Sequence, residues 1–435
     1  MFRQRREQFL QQIRPGVAIL PSAPVPLKSN DVDHEYHQDP DLYYLTGYEE
    51  PDSAAVFAPG RPEGEFLLFV RPRNRQEEIW NGRRAGTEGA LSAFGAAESF
   101  PITDLAAKLP DLLMSAPRVF YRVGQRADMD RVMIAALEEV RRRGRKGGVP
   151  PADIVDPGRL LHESRLIKSA EEVALLRRAC DITCEAHLAA MRACRPGVFE
   201  YELEAEIEAV FRRGGASGPG YPSIVGAGEN ATILHYIANS SAVRSGDLVL
   251  IDAGCEYRYY NADVTRTFPA SGRFTREQRA LYDLVLDAQT AAIAEVRPGA
   301  PYENAHNRAV RILTEGLISL GLLEGDADGI IERGEFKRFY PHGTGHWLGL
   351  DVHDAGLYKQ GETSRPLVPG MILTVEPGLY VQPDDTGVPE AYRGLGVRIE
   401  DDVLVTASGC EILTDGVPRR AAEIESLVGP GVGAV

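Results

Sequence analysis

Gly246-Asp247-Leu248-Val249-Leu250-Ile251-Asp252-Ala253-Gly254 is an apolar run that ends on a carboxylate and stops at X-Gly. A second stretch, Gly370-Met371-Ile372-Leu373-Thr374-Val375-Glu376-Pro377-Gly378, has the same plan. Short apolar runs bounded by glycine read as buried strands. Each is followed by a returning strand. The first is Asn261-Ala262-Asp263-Val264-Thr265-Arg266-Thr267-Phe268, after a short turn. The second is Gly396-Val397-Arg398-Ile399-Glu400-Asp401-Asp402-Val403, after a longer loop. Each return strand brings a carboxylate of its own, Asp263 in one and Glu400 in the other.

The likeness extends upstream. Ser169-Ala170-Glu171-Glu172 and Thr275-Arg276-Glu277-Gln278 both have the capping-box spacing that opens a helix. The first helix presents Val173, Leu176, Cys180 and Thr183 on one face and stops at Arg195-Pro196-Gly197. Its counterpart stops at Arg297-Pro298-Gly299. Proline cannot continue the helical hydrogen-bond ladder. A second helix follows in each copy. One turns Leu203, Ile207, Val210 and Phe211 inward and ends at Gly214-Gly215; the other runs from about Glu303 to Leu320. The alternating Glu202, Glu204, Glu206 and Glu208 read as a solvated face. The shared order predicts an internal duplication: two α–α–β-hairpin halves, each supplying two carboxylates.

Residues 1–165 read differently, as a small α/β domain. Val17-Ala18-Ile19-Leu20, Glu65-Phe66-Leu67-Leu68-Phe69-Val70 and Arg118-Val119-Phe120-Tyr121 are strand-like, while Leu105–Leu113 and Met129–Val140 read as helices. The Gly/Pro-rich segment after Arg143 is a natural exit from that domain. A chain of 435 residues accommodates this domain and a second, α+β one over 166–435.

Composition narrows the function. A formal net charge of −15 repels nucleic acid and anionic lipid. The basic run Arg141-Arg142-Arg143-Gly144-Arg145-Lys146 reads as a solvated helix end. No apolar run approaches a membrane span, and Met1 to Gln8 lacks the apolar core of a secretory signal. Five cysteines, an odd number in a long chain, argue for a reducing compartment. A cytoplasmic protein with neither nucleic-acid nor membrane partners is expected; Cys180, Cys184 and Cys194 read as packing residues.

Two hairpin strands can bring one carboxylate from each to neighbouring sites. Asp252 with Asp263, and Glu376 with Glu400, are so placed. If the halves pack about a pseudo-twofold axis, all four converge. Four buried carboxylates without a cation repel one another and are costly to ionise. A pair of divalent metals, bridged by carboxylates and a hydroxide, resolves this and is a hydrolytic arrangement. The stretch His342-Gly343-Thr344-Gly345-His346-Trp347-Leu348-Gly349-Leu350-Asp351-Val352-His353-Asp354 holds three of the nine histidines and can add an imidazole ligand. Alone, an aspartate at a strand end is a turn former and a lone histidine is structural; the duplicated placement together with the histidine cluster favours a site. Two decoys are set aside: Asp33-His34-Glu35-Tyr36-His37 as an ordinary loop, and Gly226-Ala227-Gly228-Glu229-Asn230 as a loop leading to His235, since it lacks the third glycine and the helix of a dinucleotide site.

These residues resemble the pita-bread metallopeptidases, the family of methionine aminopeptidase, aminopeptidase P and prolidase. His342 to Asp354 is similar to the family's proline-peptidase signature, and Asp252, Asp263, His346, Glu376 and Glu400 match its five metal ligands in type and order. Tyr36-His37-Gln38-Asp39-Pro40-Asp41-Leu42-Tyr43-Tyr44-Leu45-Thr46-Gly47 and Ile79-Trp80-Asn81-Gly82-Arg83-Arg84 resemble the N-terminal domain of the bacterial aminopeptidase P branch, which methionine aminopeptidase lacks.

The resemblance implies a two-domain chain whose second domain is pita-bread, and hydrolysis of the bond between an N-terminal residue and a following proline. It implies two divalent ions, manganese first, with cobalt, iron or zinc as alternatives. Asp263 and Glu400 would bridge them, Asp252 would bind one, and His346 with Glu376 the other. His235 would lie near the scissile bond, His353 would hydrogen-bond the carbonyl oxygen, and His342 would line the proline side. Arg398 with Tyr380 would orient ligands such as Asp252, and Glu376 would carry a proton to the leaving nitrogen. Relatives of this kind are homodimers or homotetramers, with the N-terminal domain serving assembly and substrate access. Prolidase, which cuts Xaa-Pro dipeptides, shares all five ligands; a non-catalytic pita-bread binding module or a metal-free creatinase-like enzyme would not need them.

Overall fold

The computed structural model describes residues 1–428; residues 429–435, the end of the expected second domain, lie outside the described residues. The chain divides between Arg165 and Leu166 into two compact units.

The first unit is built on a mixed sheet in the order Glu98–Pro101, Phe66–Val70, Ala54–Phe57, Val17–Pro21, Arg118–Phe120, Asp153–Val155. Its inner strands Ala54–Phe57 and Phe66–Val70 are buried at every residue, as a sheet covered on both faces requires. The helices Leu105–Leu113 and Ala127–Arg142 press Leu109, Leu113, Met133 and Leu137 onto Ile19, Val56, Leu67 and Val119. Arg141, Arg142 and Arg145 are exposed at the end of the second helix, a solvated run. The segment from His34 to His37 is a loop, and Asp33 before it ends a short strand. Leu27–Ser29 pairs with Val32–Asp33 in a small exposed hairpin, after which His34 and Glu35 stand in the open.

In the second unit both capping boxes close. The Ser169 and Thr275 side chains accept the N–H groups of Glu172 and Gln278, whose side chains accept the cap N–H groups in return. Each cap is worth about 1 kcal/mol. The helices they open, Ala170–Ala193 and Arg276–Ala294, pack on Glu200–Arg213 and Glu303–Ser319 respectively. One three-stranded sheet follows each pair. The first runs Ile224–Ala227, Leu248–Asp252, Thr265–Pro269; the second runs Ile372–Val375, Asp401–Val405, Cys410–Ile412. Cys180, Cys184, Cys194 and Cys255 are buried, with thiols pushed up by burial, and all five cysteines are unpaired.

Two local expectations change. The first pair of strands does return after a short turn, Arg258–Tyr259, because Cys255–Tyr257 and Tyr260–Asn261 pair in the same register as the strands below them; what changes is where that turn is centred. Asp252 therefore pairs with Thr265, while Asp263 comes into register with Gly254, through the Ala253 N–H to Val264 carbonyl and Ala262 N–H to Cys255 carbonyl bonds. The two aspartates are diagonal neighbours rather than directly opposed. The other change is at Gly226: Ile224–Ala227 is a strand paired with Leu248–Asp252, and a 3-10 turn, Gly228–Thr232, follows it.

The halves meet along their return strands. Glu400 N–H donates to the Thr265 carbonyl, Thr267 Oγ1 donates to the Arg398 carbonyl, and Asp263 N–H donates to Asp402 Oδ2. Arg266 of the first half and Asp401 of the second form an ion pair at 2.7 Å, both wholly buried.

Candidate metal centre and active site

The four carboxylates sit at or beside strand ends, so the sheets aim their side chains. Asp252 closes Leu248–Asp252, Glu376 follows Ile372–Val375, and Glu400 lies between Gly396–Arg398 and Asp401–Val405. Val375 pairs with Asp401 and Gly378 with Arg398, which sets Glu376 across from Glu400 in the gap between the two ladders. Gly345 lets the histidine stretch lie directly on this sheet, since a Cβ there would collide with the Thr374 carbonyl. Thr374 N–H then donates to the His346 carbonyl.

A cavity of about 650 Å³ gathers Asp252, Asp263, Glu376, Glu400, His235, His342, His346, His353 and Arg398 on its wall. Of the residues singled out from the sequence, Tyr380 stands behind that wall. Its hydroxyl is 2.9 Å from His342 Nε2 and accepts from Arg398 Nη1 at 2.9 Å. Arg398 Nη2 donates to Asp252 Oδ2 at 2.5 Å. Ligand atoms of Asp263, His346 and Glu400 lie within 4.8 Å of one another. His346 Nε2 is 3.3 Å from Asp263 and 3.8 Å from Glu376. Its Nδ1 lies 3.0 Å from the Trp347 carbonyl, which fixes the ring with Nε2 toward the carboxylates. The His353 ring lies 4.2 Å from that of His346, and the neighbouring Asp354 is locked by a buried ion pair with Lys168 at 3.0 Å.

The electrostatics show what the pocket lacks. Burial raises the carboxyl of Asp252 despite Arg398, with Asp263 adding to the rise. Burial, then Asp263, Glu376 and Asp252, hold Glu400 well above the usual carboxylate range. Burial outweighs His346 and Arg398 at Glu376, which is pushed up to about 7. At His346 burial works the other way, but Asp263 and Glu376 raise it to about 9. Burial and Arg398 lower His342 to about 4, and burial with His346 lowers His353. The donor set is thus rich in buried negative charge, and its members Asp263, His346 and Glu400 converge on one point. That is the chemistry of a divalent-cation site of oxygen ligands and one imidazole.

Several residues of the site carried no signal in the sequence. The Tyr221 hydroxyl lies 2.6 Å from Asp252 and 2.5 Å from Asp263, though a phenol has one proton to donate. Thr265 Oγ1 donates to Glu400 at 2.7 Å while accepting from Arg398 Nε. His187, wholly buried, lies 2.9 Å from the Ala253 carbonyl beside Asp252. The setting of Tyr221 in Gly218-Pro219-Gly220-Tyr221-Pro222, just before a strand, is the nearest thing to a clue.

A duplicated fold that closes four carboxylates and an imidazole around one cavity defines a metallohydrolase. The model of metallopeptidase family M24 matches residues 174–407, and that of the aminopeptidase P N-terminal domain matches residues 2–121. The chain is 45% identical over 429 residues to the Xaa-Pro aminopeptidase of Escherichia coli, covering 98% of this chain and 97% of that one. It superimposes with a TM-score of 0.96 on the aminopeptidase PepP of Pseudomonas aeruginosa, at 50% identity over 98% of this chain and 97% of that one. Zinc-substituted E. coli aminopeptidase P in complex with product gives 0.95 at 44% identity, over 98% and 97%. The chain belongs to metallopeptidase family M24, with a small N-terminal domain preceding the pita-bread domain.

Proposed function

We infer that this chain is a metal-dependent Xaa-Pro aminopeptidase. It would release the N-terminal residue of peptides that have proline second. The observation that carries this reading is the convergence of Asp252, Asp263, His346, Glu376 and Glu400 on one cavity, in a chain matching aminopeptidase P over both of its domains.

Asp263 and Glu400 would be shared between two divalent ions, with Asp252 on one and His346 and Glu376 on the other. Manganese suits a carboxylate-rich set with a single imidazole, and cobalt, iron or zinc can be held by the same donors. When bound, such ions acidify water to a nucleophile at neutral pH and polarise a carbonyl. The protein's own groups do the rest. Glu376, on the cavity wall, would carry a proton to the departing proline nitrogen. His353, kept neutral by its lowered value, offers an N–H to the carbonyl oxygen. His235 contacts substrate from the exposed rim, and His342, tied to Tyr380, shapes the proline side. Arg398 fixes Asp252, and Tyr380 braces Arg398. The substrate amide has no N–H to grip, so placement falls to these side chains.

The first domain is assigned to assembly and substrate access in a homodimer or homotetramer, and the protein to the cytoplasm. No described helix is long and apolar enough to cross a membrane. The deciding assay compares an Xaa-Pro dipeptide with an Xaa-Pro-Xaa tripeptide on the manganese-loaded chain. Faster cleavage of the tripeptide is expected. Strong preference for the dipeptide would make the enzyme a prolidase instead.

A further inference from the structure

Residues 233–241, which carry His235, form neither helix nor strand. Their shape is set by one side chain. Glu200, the first residue of the helix Glu200–Arg213, is wholly buried and accepts four hydrogen bonds. Oε1 takes the Ala227 N–H at 2.8 Å and Asn230 Nδ2 at 2.9 Å. Oε2 takes the Tyr236 hydroxyl at 2.9 Å and the Ser241 N–H at 2.7 Å. Two of these donors precede His235 in the chain and two follow it. The stem of the loop is closed by the same stretch of chain: Glu200 N–H donates to the Ser241 carbonyl, and Gly197 and Val198 pair with Val243. Just before the loop, the 3-10 turn Gly228–Thr232 meets the strand Gly396–Arg398 so closely that a Cβ on Gly396 would collide with the Ala231 carbonyl.

A carboxylate suits this hub because it only accepts, and its two oxygens offer about four lone-pair sites. A glutamine would turn an NH₂ toward two of the donors and leave them buried and unanswered. Glu200 is absent from the cavity wall, so it meets no substrate.

We propose that Glu200 is a positioning residue for the reaction, acting through His235 by fixing the loop that presents it. The proposal rests on the reading above that His235 contacts substrate. A double-mutant cycle on the manganese-loaded chain tests it, with kcat/KM for an Xaa-Pro-Xaa tripeptide and metal content measured for the parent, Glu200→Gln, His235→Ala and the double variant. Glu200→Gln is expected to lower kcat/KM by about 10- to 100-fold, as displacement of a substrate-binding group does, with metal content unchanged. In the His235→Ala background the same change should cost less than about twofold, since coupled residues are not additive. Equal losses in the two backgrounds, or a loss that tracks metal content, overturn the proposal while leaving the His235 contact standing. If His235→Ala alone changes nothing, the contact itself is wrong and the proposal falls with it. Should Glu200→Gln fail to fold, Tyr236→Phe removes one of the four bonds and carries the same cycle, read in the same way.

Discussion

The two hairpins of the catalytic domain do the same job by different means. In the first, the aspartates are diagonal, because Asp263 stands in register with Gly254 rather than Asp252. Gly254 has no room for a side chain, since a Cβ would collide with the Ala262 carbonyl. In the second, Glu376 and Glu400 face each other in a break between two ladders and have an extra methylene of reach. The supports are crossed. Arg398 of the second half holds Asp252 of the first, and Thr265 of the first half holds Glu400 of the second. Asp402 of the second accepts the Asp263 N–H of the first. Each half aims the other's carboxylates, so neither contains a site by itself. Only the second adds an imidazole, His346, to the cluster of potential metal ligands among the described residues, and that breaks the symmetry.

The most severe way to break this arrangement is Asp263→Ala. Loss of a shared donor should lower kcat/KM by about a thousandfold or more and deplete bound metal, with the fold retained because one buried repulsion is also removed. Circular dichroism, metal analysis and a tripeptide assay check it, and full activity would refute the site. Arg266→Met attacks the seam itself. It removes the nearer of the two arginines paired with Asp401, leaving Arg419 at 3.3 Å, and should cost about 3 kcal/mol of stability, read as a fall of about 6–12 °C in Tm. An unchanged Tm would mean the seam does not hold the halves together.

A finer comparison sets Tyr221→Phe against Thr265→Val. The first strips a support from both aspartates, the second from Glu400 alone. Each should weaken metal affinity by about tenfold or somewhat more, as loss of a group behind a ligand commonly does. Titrations that left both affinities unchanged would show that the supports are idle.

Metal binding should also depend on pH. Glu376 at about 7 and His346 at about 9 hold protons near neutrality, and a metal must displace them. Protonation competes with the cation, so affinity should rise between pH 6 and 8 by about tenfold from the Glu376 proton alone and further from the His346 proton, with protons released on binding. Calorimetry in two buffers of different ionisation heat measures that release, and none at pH 7 would contradict it.

How much of this could be read from the chain depends on range. The helix starts were legible because a capping box is written within four residues, as at Ser169 and Thr275. The carboxylates were legible because the duplication writes each one twice in the same frame. Tyr221 and Thr265 were not, because their partners are 31 and 135 residues away and nothing local records the meeting. His187 likewise gave no sign, being one histidine on an apolar helix face. In the first domain Glu98–Pro101 escaped notice because a short half-buried edge strand needs no apolar pattern. The diagonal placement of Asp252 and Asp263 was hidden because their spacing does not say where the turn is centred, and Arg258–Tyr259 centres it one residue later than direct opposition needs.

The crossed seam also bears on how such a chain can change over generations. A substitution on one return strand is felt at a donor encoded more than a hundred residues away, as Thr265 and Glu400 illustrate. The two halves, though alike in plan, form one heritable unit: divergence in either is confined to what the other can still aim.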